Sequence, residues 1–136
     1  MNTLDTKVNS VVKVIRVMVV EDHVHLREQL IILLSDYSGI LVIGSAENGQ
    51  QAVDKCAELQ PDVILMDAMM PVLDGFEATY IIREQFPATR VVMLSNGFLG
   101  ENARAEGAGA SAFLLKPVWG DEIISAIREA YADIAS

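Results

Sequence analysis

Apolar residues in this chain gather into five short unbroken runs, and the segments between them carry apolar residues at helical spacing. The runs are Val17-Met18-Val19-Val20, Leu41-Val42-Ile43, Val63-Ile64-Leu65-Met66, Val91-Val92-Met93-Leu94 and Phe113-Leu114-Leu115. Continuous rather than alternating apolar strands, each followed by a helix, indicate a parallel sheet covered on both faces. The first strand is expected at about Val14 to Val20 and the second around Ile40 to Ile43. Leu26, Leu30, Leu33 and Leu34 form the apolar face of the first helix. Ala52, Val53, Cys56 and Ala57 do so within Gln50 to Leu59, and Ala78, Ile81 and Ile82 follow Asp74, a good N-cap. The last helix, Asp121 to Ala135, presents Ile123, Ile127, Ala130, Tyr131 and Ile134.

The fourth connection differs from the others. Asn96 to Gly109 holds glycine at 97, 100, 107 and 109, each costing up to about 1 kcal/mol where it interrupts helix. Any helix there is expected to be short, near Glu101 to Ala108. Residues 1–12 show neither strand nor helix period and read as a loose leader. Residues 13–136 then make one α/β domain with right-handed crossovers.

Composition narrows the class. At 136 residues and 51% hydrophobic content the chain can bury a core without metal or disulfide support. Its single cysteine, Cys56, fits a reduced, cytoplasmic setting and a packing role. The longest apolar run, Leu30 to Leu34, falls far short of the roughly twenty residues that span a bilayer. A formal charge of −9 opposes unaided nucleic-acid binding.

Four of the five runs end on or beside a reactive group: Glu21-Asp22, Asp67, Ser95 and Lys116-Pro117. Only the second ends without one, in Gly44-Ser45. All strands of an open parallel sheet finish on the same edge, where ligands bind. Three carboxylates, a hydroxyl and an ammonium therefore converge. At ~5 Å and an effective dielectric of about 20, each pair of ionised carboxylates repels by about 3 kcal/mol. A cation relieves that repulsion, and an all-oxygen set suits magnesium rather than zinc. With the metal in place, Asp67 is the best nucleophile toward a phosphoryl group. Ser95 and Lys116 are placed to bind phosphoryl oxygens. His23 and His25 have no second ligand at metal spacing, and His23 is expected at the crevice mouth as a helix-entry residue.

In this order, Glu21-Asp22, Asp67-Ala68-Met69-Met70-Pro71, Asp74-Gly75, Ser95, Gly109-Ala110 and Lys116-Pro117 resemble the receiver domain of bacterial two-component response regulators. The resemblance covers about residues 13 to 135. It implies a flavodoxin-like three-layer (βα)5 fold, a five-stranded parallel sheet of order 2-1-3-4-5. It further implies that Asp67 accepts phosphate from a sensor histidine kinase or phosphotransfer protein. Glu21, Asp22, Asp67 and the backbone carbonyl of Met69 would coordinate Mg2+. Ser95 and Phe113 would be the switch residues, and a cis peptide would join Lys116 to Pro117. The output would be a downstream effector or a DNA-binding output domain, with dimerisation on phosphorylation left open.

Asn96, where receivers commonly have a small residue, and Phe113, where tyrosine is frequent, depart from the pattern. Two enzyme-like alternatives fit poorly. A flavodoxin needs donors after the first strand, where Glu21-Asp22 offers charge, and an aspartate-nucleophile phosphatase needs an acid at Met69. A receiver-shaped interaction module that signals without phosphate is the remaining alternative.

Overall fold

The structure, a computed structural model, describes residues 13–135. The expected leader, residues 1–12, lies outside them, as do Ser136 and the Ile134 side chain. Five strands and five helices alternate: β1 (Ile15–Val20), α1 (Val24–Ser35), β2 (Ile40–Ala46), α2 (Gly49–Leu59), β3 (Val63–Asp67), α3 (Gly75–Gln85), β4 (Arg90–Ser95), α4 (Glu101–Ala108), β5 (Ala112–Leu115) and α5 (Gly120–Ala135). The strands form one parallel sheet in the order β2-β1-β3-β4-β5. Among the described residues no helix is long and apolar enough to cross a membrane.

Successive side chains of a strand point to opposite faces, so each apolar run feeds two cores. Val17, Val19, Val63, Leu65, Val92 and Leu94 pack on one face with α1 (Leu30, Leu34) and α5 (Ile123, Ile124, Ile127, Ala130). Met18, Val20, Ile64, Met66, Val91 and Met93 pack on the other with α2, α3 and α4. Cys56 is fully buried in this second core, and burial pushes its thiol pKa up.

The element boundaries agree with the expectations except at β2, which continues through Gly44 and Ser45 to Ala46. Ile43 has no partner on β1: Val17 pairs with Val42 and Met18 with Gly44. This bulge takes up one extra residue and lets pairing resume beyond the apolar run. Ala57, expected on the apolar face of α2, is exposed. In α3, Phe76 and Thr79 join Ala78 and Ile82 inside, while Ile81 is half-buried.

The loop from β3 to α3 is clamped at both sides. Gly75 N donates to Ala68 O at 2.8 Å and Gly49 N to Leu73 O at 3.0 Å. A Cβ on Gly75 would fall 2.1 Å from Asp67 O, and one on Gly49 2.1 Å from Leu73 O. Neither approach tolerates a side chain. Asp74 caps α3 by accepting from Glu77 N at 2.9 Å. Between these anchors Leu73 N donates to Pro71 O at 2.8 Å, closing a three-residue turn around Val72. Val72 has φ 71 and is 80% exposed.

A β-branched residue in the left-handed region costs about 1–2 kcal/mol, and Val72 recovers little by packing. Val72→Gly is therefore expected to raise unfolding stability by about 1 kcal/mol after allowing for glycine's extra unfolded-state entropy. The check is a higher urea midpoint at unchanged slope. An unchanged or lower midpoint would contradict the strained turn.

Candidate functional site

Glu21 follows β1 directly, and its backbone is fixed by Glu21 N donating to Ala46 O at 3.0 Å. The carboxylate is completely buried. Its Oε2 faces His23, 3.2 Å from both the backbone N and Nδ1. Its Oε1 points to Lys116 Nζ at 3.6 Å, outside hydrogen-bond distance. Arg27, one turn into α1, donates to the Glu21 carbonyl at 2.7 Å. Asp22 is half-buried, with Oδ1 3.3 Å from His23 Nδ1.

Asp67 closes β3 at 5% exposure. It is held in register against Leu94, and the following Ala68 N donates to Leu94 O at 2.8 Å. Lys116 follows β5, its N donates to Ser95 O at 2.7 Å, and the peptide to Pro117 is cis, as expected. Its Nζ donates to Asp67 Oδ1 at 2.8 Å. One ammonium thus faces carboxylates from two neighbouring strands.

Ser95 ends β4 at 1% exposure, on the same edge. Its hydroxyl donates to Glu101 Oε1 and accepts from Gly97 N at 2.9 Å. Met69 lies in the loop after β3, half-exposed, and among the described residues its carbonyl accepts no hydrogen bond. Phe113 is half-buried against the second core.

The electrostatics follow from this crowding. Burial is the largest influence on Asp67; Lys116 opposes it and Glu21 and Asp22 reinforce it, so the carboxyl is pushed up from 3.8 to about 6. Burial alone would lower Lys116, but the hydrogen bond and charge of Asp67, with Glu21, hold it above its ordinary value. His23 is also raised, first by its hydrogen bond to Glu21 and then by the charge of Asp22.

Among the described residues, Glu21 Oε1 and Asp22 Oδ1 are buried without a hydrogen-bond partner. Buried carboxylate oxygens that accept no hydrogen bond are costly, and hard oxygen donors of this kind fit magnesium. Glu21, Asp22 and His23 each offer a ligand atom within 4.8 Å of the others. Sequence spacing did not show that His23 touches both acids: its exposed ring turns back from the N-cap of α1. Glu101, buried at 4% exposure, is the other residue missed. Its only signal was its place at the start of the short helix expected after Ser95.

The raised Asp67 carboxyl has a measurable consequence. The folded chain binds this proton more tightly than the unfolded chain, so stability from this group is lost as pH rises from about 4 through about 6. The span from 3.8 to about 6 corresponds to on the order of 2–3 kcal/mol. In metal-free protein, Asp67→Asn should gain stability over wild type by about that amount between pH 4 and pH 7. Chemical denaturation at the two pH values measures it, and a pH-independent difference would refute it.

Comparison with known proteins agrees with this geometry. The family model described as "Response regulator receiver domain" matches residues 17–128. Response regulator protein VraR of Staphylococcus saprophyticus is 38% identical over 119 residues, covering 86% of this chain and 56% of that protein. Transcriptional regulatory protein LnrK of Bacillus subtilis is 38% identical over 120 residues, covering 87% and 54%. The chain thus spans about half the length of these relatives. Among solved structures, the response regulator domain of Thermotoga maritima CheB superposes with TM-score 0.82 at 35% identity, covering 88% of this chain and 98% of that one. The signal receiver domain of the putative response regulator NarL from Mycobacterium tuberculosis gives 0.84 at 31%, with the same coverage. An acidic pair after β1, an aspartate ending β3 and a lysine after β5 converge on one edge of a 2-1-3-4-5 sheet, and the chain belongs to the response regulator receiver domains of two-component systems.

Proposed function

We propose that this chain is a phosphorelay switch whose phosphoacceptor is Asp67. A carboxylate oxygen of Asp67 attacks the phosphorus of a phosphohistidine on a sensor histidine kinase or phosphotransfer protein. The P–N bond breaks, and the imidazole leaves with the electron pair and takes a proton from solvent. Glu21, Asp22, Asp67 and the Met69 carbonyl would hold Mg2+, which when bound neutralises charge on the phosphoryl oxygens. Lys116 passes from the Asp67 carboxylate to a phosphoryl oxygen, and Ser95 donates to another. Phe113 repacks as Ser95 moves. The phosphorylated form then controls a downstream effector or a DNA-binding output domain, in the cytoplasm.

The observation that carries this reading is the 2.8 Å contact of Lys116 Nζ with Asp67, beside a buried Glu21 oxygen that the same ammonium reaches only at 3.6 Å, without a hydrogen bond. A phosphate-independent interaction module would have no use for that costly arrangement. Intact-mass analysis after acetyl phosphate or phosphoramidate with Mg2+ is expected to show one added phosphoryl group. The addition should vanish without Mg2+ and in Asp67→Asn. An unmodified wild-type chain would favour the interaction module instead.

Asn96 is exposed immediately after Ser95, at the rim of this edge. Its side chain is larger than the alanine common in the family and restricts water at the acyl phosphate. Asn96→Ala is expected to shorten the phosphate lifetime severalfold while leaving the added mass unchanged. An unchanged lifetime would refute that role.

A further inference from the structure

Glu101 is a carboxylate at 4% exposure, the first residue of α4, and its partner is the Ser95 hydroxyl. Acids are almost never so buried unless paired. A serine hydroxyl has one proton to donate, and here Glu101 takes it while Gly97 N occupies the oxygen as a donor at 2.9 Å. If Asp67 is the phosphoacceptor, as proposed above, a phosphoryl oxygen needs that same proton. We propose that Glu101 is a positioning residue that holds the Ser95 hydroxyl away from the phosphoryl site, so that phosphorylation switches the chain by competing with Glu101 for one proton.

The surroundings of Glu101 turn this competition into movement. Once Ser95 rotates away, the carboxylate is buried with no donor among the described residues, a state that desolvation makes costly. It is relieved by moving to water, and Glu101 carries the first turn of α4 with it. That turn has no side-chain N-cap, and Gly97 (φ 84) and Gly100 (φ 85) precede it. One turn on, Arg104 lies 3.5 Å from Asp74 and 4.1 Å over the Phe76 ring, both at the start of α3. The helix is therefore hinged at its N-terminus and tethered behind it.

The test is the affinity for beryllofluoride with Mg2+, a phosphoryl mimic, measured by calorimetry on wild type, Glu101→Ala, Ser95→Ala, the double variant and Glu101→Gln. Losing a charge-assisted competitor should tighten binding about tenfold in Glu101→Ala. In the Ser95→Ala background the same change should have no effect, because no proton is left to compete for. Glu101→Gln keeps the shape with a weaker acceptor and should tighten binding less than Glu101→Ala; it carries the test if the alanine variant fails to fold. Equal tightening with and without Ser95, or none in either glutamate variant, overturns the proposal while leaving the phosphoacceptor reading intact. No binding to wild type overturns both.

Discussion

The structure depends on a cluster of charge held in a nearly dry place. Glu21 and Asp67 are buried at the ends of adjacent strands, with Lys116 Nζ 2.8 Å from one and 3.6 Å from the other. Inside a protein such groups interact more strongly than in water, for attraction and repulsion alike. The ammonium keeps the two acids close, and Asp22 adds a third acid beside them. The upward displacement of Asp67 records its burial first, with the charges of Glu21 and Asp22 reinforcing it against Lys116. A site left in deficit of positive charge is ready for a hard cation, and the fold spends stability to keep it so.

Holding that deficit requires a rigid frame. The frame comes from β1, β3 and β4, whose inner residues are completely or almost completely buried. It is completed by the two helix N-termini that press on the loop after Asp67. At Gly75 and Gly49 the backbone comes so near that only hydrogen fits. The strained turn at Val72 lies between those fixed points, a local cost borne in the loop that follows Asp67. Gly75 and Gly49 thus pin the loop after β3, whereas among the described residues nothing lies within 4 Å of a Cβ added at Gly100 or Gly107.

Much of this was legible in the sequence because burial on both faces leaves unbroken apolar runs. Val63 to Met66 could only be a central strand, and Asp67 had to stand at its end. Leu41 to Ile43 was less informative. The run stops at Gly44, yet the strand continues, since a bulge at Ile43 restores pairing that hydropathy does not encode. The positions of Glu21, Asp67 and Lys116 followed from strand ends alone. The directions of side chains leaving loops did not: His23 turns back on Glu21 and Asp22, and Glu101 reaches Ser95 across a glycine-rich link whose path has no periodic signature. Ser95 was placed on the correct edge, but its partner was out of reach of spacing arguments.

Two helices on opposite faces of the sheet, α5 and α4, also differ in how firmly they are gripped. Into the first core α5 sends Ile123, Ile124 and Ile127, each worth about 1.5–3 kcal/mol when buried. The buried apolar side chains of α4 are the small ones of Ala105 and Ala108. Displacing a helix anchored by methyl groups exposes little grease, so the work of shifting it is commensurate with exchanging one polar contact. A bulkier anchor would make the element costlier to displace.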